Sequence, residues 1–504
     1  MTTQFKLKRS ISGLLTFFAI HTFTLLPAET VEQPPNIVLI FADDLGYGDL
    51  PAFFDQTQIK TPNIDRLISQ GTKFTDFYVS QPVCTASRAS LMTGCYANRV
   101  GLSGALNHTS PNGINPNEEI LPELLKKQGY ATAMFGKWHL GLPPFFSPLS
   151  NGFDEWLGIP YSNDNSKYHP VLASSMPPLP LYDGNNVVET DPDQALFTKR
   201  LTERAVAFIR KNQAKPFFLY VPHIMPHVPI FASDSFRGKS ASGLYGDVIE
   251  ELDWSVGQIL ETIDSLELSQ NTLVIFTSDN GPFLSYGSHA GSAGKFRGGK
   301  LTTFEGGVRV PAVMRWTGKI PAGEICKTPV MTIDFLPTIC SITGAKMPEA
   351  IIDGKDITYL LIKPQQVDGE SSRALVFYSG NALQAIRLGK WKLHLPHPYL
   401  VVNGETRTDG KPAGFGKLAP QSITNSGIEG IASRHGYLVR QLPLALYDLE
   451  SDPSESVNIA KEHPDVVTEL SNIAEKYRKK LGDSATSVVG SEIRENGKTP
   501  DLKK

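Results

Sequence analysis

The sequence predicts an α/β protein: a large central sheet, mostly parallel and flanked by helices, followed by a smaller α+β domain of antiparallel strands and one helix. Three observations predict it. Continuously apolar runs such as Asn36–Ala42 and Thr272–Thr277 suit strands buried on both faces of a parallel sheet. Helical patterns alternate with them, as at Thr61–Gly71 and Leu121–Gln128. Past about residue 370 the texture changes to short alternating runs, Ala374–Tyr378, Ala385–Leu388 and Trp391–Leu395, with a turn at Gly389-Lys390.

The first strand, Asn36–Ala42, ends in Asp43-Asp44. A helix starts at Pro62, puts Ile64, Leu67 and Ile68 on one face, and stops at Gly71. A second helix reaches Gln128 and stops at Gly129; the strand Tyr130–Phe135 follows and runs into Gly136-Lys137-Trp138-His139. The strand Lys215–Val221 leads to Met225-Pro226-His227, and Thr272–Thr277 leads to Ser278-Asp279-Asn280-Gly281. Each strand delivers polar residues just past its carboxyl end, where ligands bind in open α/β sheets. A last helix, Pro464–Leu481, carries the stripe Val467, Leu470, Ile473, Ala474, Tyr477, Leu481. Residues 396–440, rich in Gly, Thr, Asn and Pro, read as a long loop or insertion.

Composition excludes several classes. The 504 residues carry 48 basic and 51 acidic side chains, a net charge of −3, so bulk charge does not make this a nucleic-acid binder. With 40% hydrophobic residues the chain is not intrinsically disordered, and a mean hydropathy of −0.16 excludes a polytopic membrane protein. Lys6, Lys8 and Arg9 precede the apolar run Ile11–Leu26, then Pro27-Ala28, the pattern of a signal peptide cut near Ala28. A secreted or periplasmic protein without stable membrane insertion is expected, organised as signal peptide 1–28, catalytic domain 34–370, α+β subdomain 371–484 and flexible tail 485–504. Of the four cysteines, Cys84 and Cys95 on one helix would stand roughly 16 Å apart, too far to pair. A Cys326–Cys340 pair stays open.

Three constellations carry chemistry. Cys84-Thr85-Ala86-Ser87-Arg88 would place a nucleophile at a helix N-terminus with a guanidinium one turn on, an anion-reacting arrangement. Asp43-Asp44 and Asp279-Asn280 end two buried strands, where like charges call for a hard divalent cation between them; capping of the following loops is the competing reading. Lys137, His139, His227 and Lys300 lie past strand ends in Gly- or Pro-flanked segments. The run Gly294 to Lys300 misses a P-loop because Leu301 stands where Ser or Thr would bind magnesium.

These residues carry a resemblance. Cys84 to Arg88, continuing Ala89-Ser90-Leu91-Met92-Thr93-Gly94, resembles the C-x-[P/A]-x-R signature of the type I (formylglycine-dependent) sulfatases, within the alkaline phosphatase-like superfamily. Ala86 stands where the commonest signature has Pro. The similarity extends from Pro35 to about Leu481 through Asp43 to Gly48, Thr61 to Asp65, Gly136 to Gly141, Gly158 to Ser162, Ser278 to Gly281 and Lys300 to Gly307. It implies an arylsulfatase-like sulfuric-ester hydrolase acting on a sulfated small molecule or glycan. It implies a maturation enzyme that oxidises Cys84 to formylglycine (3-oxoalanine). It implies calcium, with magnesium as second choice, on Asp43, Asp44, Asp279, Asn280 and an oxygen of modified Cys84. Residues matching Arg88, Lys137, His139, Ser162, His227 and Lys300 would line the sulfate pocket, Asn163 competing with Ser162.

In the implied chemistry, calcium with Lys137 or Lys300 holds the sulfate and a hydroxyl of the formylglycine hydrate attacks sulfur. His227, with Lys300, protonates the leaving alcohol; His139 takes the proton of the second hydroxyl, and Arg88 fixes residue 84 and its surroundings. Three other readings stand beside it: a phosphoric mono- or diester hydrolase of the same superfamily, a Cys-His hydrolase using a Cys84 thiolate, and a non-enzymatic sulfated-glycan-binding protein with unconverted Cys84. Selectivity is expected from loops around the pocket, with Trp156, Tyr161 and His169 available for stacking on a sugar.

Overall fold

The computed structural model describes residues 1–4, 6–7, 33–365, 373–417 and 427–499. The signal segment and its cut at Ala28 lie almost wholly outside the described residues. Two compact units are present, 1–33 and 34–504, and every strand and helix named below belongs to the second.

Ten strands form one sheet. They are β1 Asn36–Ala42, β2 Thr72–Phe74, β3 Ala131–Lys137, β4 Glu155–Ile159, β5 Pro180–Asp183, β6 Asn186–Thr190, β7 Phe217–Pro222, β8 Thr272–Ser278, β9 Ala312–Arg315 and β10 Glu324–Cys326. Their spatial order is β10-β2-β9-β8-β1-β7-β3-β4-β5-β6. The middle five, β8 to β4, are parallel; β9, β5 and β6 pair antiparallel at the flanks. The continuous apolar run of β1 is explained by its central place, because every one of its residues is buried. Its side chains alternate between two cores. Ile37, Leu39 and Phe41 join one core, and Val38, Ile40 and Ala42 the other.

Helices cover both faces. α1 Pro62–Ser69, α4 Phe197–Asn212 and α5 Gly243–Ser265 pack on the second core. α2 Cys84–Thr93, α3 Leu121–Lys127 and α6 Phe335–Thr343 pack on the first. That first core continues into a four-stranded antiparallel sheet, β11 Leu375–Ser379, β12 Ala382–Leu388, β13 Trp391–His394 and β16 Ala445–Asp448, covered by α8 Pro464–Leu481. On α8, Leu470, Ala474 and Leu481 of the expected stripe are buried. A buried charge cluster seals the junction: Lys392 lies 2.9 Å from Glu305 and 3.1 Å from Glu455, and His394 Nε2 is 2.7 Å from Glu455.

Three expectations need correction. The supposed loop 396–440 holds β14 His397–Val402, α7 Ile428–His435 and the start of β15 Tyr437–Leu442, with β14 and β15 paired antiparallel. A proline in β14 and a glycine in α7 weaken the local pattern that pairing overrides. Residues 485–499 of the supposed tail pack back: Arg494 binds Glu118 at 2.6 Å, and Gly497 pairs with Gly113. Such anchoring rests on partners hundreds of positions away. All four cysteines are free and buried, so Cys326 and Cys340 do not pair, and Cys95 falls beyond α2, which Gly94 ends in a left-handed conformation (φ 67°).

Candidate active site

The register that pairs Ala42 with Ser278 ends β1 and β8 level, so Asp43, Asp44, Asp279 and Asn280 meet outside their carboxyl ends. The Asp44 N–H donates to Asp279 Oδ1 at 3.0 Å, and the Asp279 N–H to the Ala42 carbonyl at 3.1 Å. β3 delivers Lys137 and His139. Its approach to β7 is so close at Gly136 that a Cβ there would stand 1.8 Å from the Pro222 carbonyl oxygen.

Cys84 is the first residue of α2, with Sγ 3.7 Å from Asp43 Oδ1 and 3.3 Å from Lys300 Nζ. Arg88 donates from Nε and Nη2 to Asp279 Oδ2 at 3.1 and 2.8 Å, and from Nη1 to the Lys137 carbonyl at 3.0 Å. Lys137 Nζ donates to Asp43 Oδ2 at 2.6 Å and to Ser162 Oγ at 3.4 Å. Lys300 Nζ donates to both oxygens of Asp44, at 2.7 and 2.9 Å. His227 Nε2 stands 3.2 Å from Ser162 Oγ and 3.7 Å from Asp44 Oδ2. Its Nδ1 lies 2.6 Å from the Val228 carbonyl, which only accepts, so Nδ1 carries the proton and Nε2 the lone pair in the neutral ring. By the same reasoning His139 donates from Nε2 to the Leu106 carbonyl at 2.7 Å, and its buried Nδ1 has no partner among the described residues. Asn163 turns away, donating to Gln194 and the Pro229 carbonyl.

Burial and opposite charges set the protonation states. Burial pushes the Cys84 thiol up to about 12 against the pull of Lys137 and Lys300. Burial, then the charge of Asp43, raises Asp279 to about 6, while burial of Asp43 is outweighed by Lys137 and the other cations. Burial likewise lifts Asp44 above the usual carboxylate range despite Lys300. Burial lowers His227 to about 4 and holds His139 well below the ordinary imidazole value, helped by Lys300 and Lys137 respectively. Lys300 stays charged, Asp44 outweighing its burial.

The residues fit a hard divalent cation. Ligand atoms of Asp43, Asp44, Cys84 and His227 lie within 4.8 Å of one another. Asn280 is fully buried, and its Oδ1 has no hydrogen-bond partner among the described residues. An orphaned amide oxygen among three carboxylates is an oxygen donor set.

The site is layered. A cavity of about 790 Å³ opens over it, and Cys84, His139, Ser162, His227 and Lys300 reach its wall. Arg88 and Lys137, expected on the pocket wall, lie behind the carboxylates and brace them, 1% and 0% exposed.

The sulfatase family model matches residues 35–345, more than half of the chain. The chain belongs to the sulfatase family. A second model, the C-terminal region of aryl-sulfatase, matches residues 370–497. This sulfatase is 37% identical over 481 residues to the N-acetylgalactosamine-6-sulfatase of Mus musculus, covering 90% of this chain and 88% of that one. It is also 37% identical to the arylsulfatase A of Bos taurus, covering 96% and 95% of the two chains. A solved structure from a Bacteroides thetaiotaomicron locus for metabolism of multiple glycosaminoglycans superposes with a TM-score of 0.72 at 29% identity, covering 89% of this chain and all of that one. The sulfatase is therefore a sulfuric ester hydrolase, with the alkaline phosphatase-like architecture expected from the resemblance. Among its described residues no helix is long and apolar enough to cross a membrane.

The cavity of the sulfatase also holds residues that sequence spacing does not single out: Asp164, Asn165, Gln384, His397, Arg434 and His435. They lie in irregular or weakly patterned segments, where spacing carries no signal. Of the three side chains considered for stacking, His169 alone reaches the cavity wall. Trp156 is fully buried and stacks on Tyr182 at 5.1 Å, and Tyr161 is 6% exposed.

Proposed function

We propose that this sulfatase is an exported enzyme cleaving sulfate monoesters of carbohydrates. Its nucleophile is formylglycine made from Cys84 by a maturation enzyme, and its calcium ion is held by Asp43, Asp44, Asp279, Asn280 and the modified residue 84. One observation carries this reading. Cys84 stands on the cavity wall at the start of α2, beside Asp43 and Lys300, with its thiol pushed up to about 12. A protonated thiol among carboxylates is a poor nucleophile, which argues against the Cys-His hydrolase. A hydroxyl-bearing side chain at that position suits the place. The phosphatase reading is not favoured, because a single histidine, His227, joins the carboxylates of the candidate metal group.

The ion, when bound, would supply Lewis-acid polarisation of the sulfate. The chain supplies the rest. The α2 N-terminus and Lys300 favour the anionic ester. Lys300, held charged by Asp44, stabilises negative charge on the leaving oxygen, and His227 in its protonated form would supply that oxygen's proton. His227 Nε2 and Ser162 Oγ, 3.2 Å apart, orient that oxygen. His139 lines the cavity and is neutral, with a buried Nδ1 that has no partner among the described residues, the form needed to accept a proton from residue 84 during sulfate release. Arg88 and Lys137 hold the carboxylates behind.

Carbohydrate as the substrate class draws on the relatives' names and on a cavity wall rich in hydroxyl and amide side chains. Mass spectrometry of the peptide containing residue 84 from native-host material tests the mechanism. An aldehyde or its hydrate is expected; an unmodified thiol throughout overturns it. Aryl sulfate and aryl phosphate turnover, with and without chelator, tests the reaction class, and faster phosphate turnover would reverse it.

A further inference from the structure

Asp164 is out of place in a cavity that receives an anion. It lines the same cavity as Cys84, His227 and Lys300, and its side chain is 13% exposed. A carboxylate there repels a sulfate ester across a cavity of low dielectric and weakens binding unless it makes a compensating contact. Its contacts within the chain leave it capacity. Oδ1 accepts from Asn165 Nδ2 at 2.9 Å. Oδ2 has His169 Nε2 at 3.9 Å, beyond hydrogen-bond reach, and no donor among the described residues. His169 is held in that orientation, since its Nδ1 accepts from the backbone N–H groups of Val171 and Leu172 at 3.0 and 2.9 Å. Asn165 is fixed in turn by His108 Nδ1 at 2.9 Å. An ionised carboxylate offers about four acceptor sites, so this one keeps unused acceptors, held in place by its neighbours, on the wall of the cavity that must take the leaving group.

We propose that Asp164 is a specificity-determining residue that accepts hydrogen bonds from hydroxyl or amide N–H groups of the leaving sugar. The preferred substrate is then a sulfated sugar with such donors free next to the ester, and an aryl sulfate lacking them is a poorer one. The opposing effects of the carboxylate on the two substrate kinds are the basis of selectivity: repulsion of the sulfate is common to both, whereas acceptance from donors is available only to the sugar. This rests on the sulfate-ester reading of the site.

The test compares wild-type, Asp164→Asn and Asp164→Ala enzyme on an aryl sulfate and on a panel of sulfated hexoses and N-acetylhexosamines. For the sugar that wild type turns over best, kcat/KM should fall at least tenfold in Asp164→Ala, mainly through KM, and less in Asp164→Asn, which keeps one acceptor oxygen. For the aryl sulfate, kcat/KM should hold or rise in both variants. Equal losses on both substrates would assign Asp164 to maintaining its histidine neighbours and overturn the proposal. So would unchanged sugar turnover, or wild type that cleaves the aryl sulfate and none of the sugars. Wild type inactive on every sulfate ester would instead refute the proposed function itself. Unfolding midpoints of the variants separate loss of fold from loss of recognition.

Discussion

Arg88 grips Asp279 with two nitrogens, Nε at 3.1 Å and Nη2 at 2.8 Å, both on the same carboxylate oxygen. The other oxygen is left to the Asp44 N–H. The pair is sealed from solvent, so its worth lies in orientation as much as in charge.

Arg88→Lys keeps the charge and loses the two-nitrogen grip. Metal affinity or turnover should fall roughly 10- to 100-fold, the usual effect of releasing a residue that orients a metal ligand, the role proposed for Asp279. Arg88→Ala leaves Asp279 buried and unpaired and should destabilise the fold by about 3–5 kcal/mol in denaturant unfolding. Wild-type calcium affinity in Arg88→Lys would contradict the bracing role.

Cys84→Ala should abolish sulfate-ester turnover while costing about 1 kcal/mol of stability, since only a small buried sulfur is lost. Residual activity near wild type would remove residue 84 from the chemistry. Paired turnover and thermal-unfolding measurements decide it.

Asp279→Ala should lose both calcium binding, read by calorimetry, and activity, and wild type treated with chelator should lose activity that added calcium restores. Unchanged calcium affinity in Asp279→Ala would strike Asp279 from the ligand set.

The junction cluster predicts a pH dependence. Glu305 is held to about 2: burial opposes its charge, but Lys392, Arg309 and Arg387 outweigh it. Burial, with the charge of Glu305, raises Glu455 to about 7. The folded chain thus retains a proton on Glu455 that the unfolded chain releases near the ordinary glutamate value of 4.5. The Glu455 contribution is full below that value, falls as pH rises toward about 7 and is flat above it, whereas the Glu305 contribution is full above that value and is lost as pH falls toward about 2, so the cluster is most stabilising near 4.5. Glu455→Gln should flatten this slope in unfolding midpoints measured between about pH 5 and 8, and an unaltered slope would place the effect elsewhere.

Much of the fold was legible in the sequence because local pattern and burial agree. The runs that became β1, β7 and β8 are apolar throughout for the simple reason that both faces of those strands are covered. The side chains that gather at the sheet edge were legible because Asp43, Lys137, His227 and Asp279 close or follow strands, where a parallel sheet gathers ligands. What stayed hidden depends on distant partners. Nothing near Glu455 announces Lys392 or Glu305, and Arg494 gains its order from Glu118. Asp164 meets the cavity from an irregular segment, and Arg434 from α7, a short helix whose glycine weakens the local pattern. Arg88 and Lys137 read as pocket cations because sequence order does not tell the front of a site from its back.

The burial of α2 carries a consequence for the order of events in the making of this enzyme. Every residue from Cys84 to Thr93 is buried, and Cys84 is 2% exposed. A modifying enzyme would need access to the Cys84 side chain, which a finished α2, buried along its whole length, scarcely offers. The proposed conversion of Cys84 would therefore belong to the interval between synthesis and folding. A chain that folds first should be trapped as an inert thiol form, refractory to its modifying enzyme until it is unfolded again. The yield of active enzyme would then be set by a race between two clocks, oxidation and folding, and slowing the second should raise it.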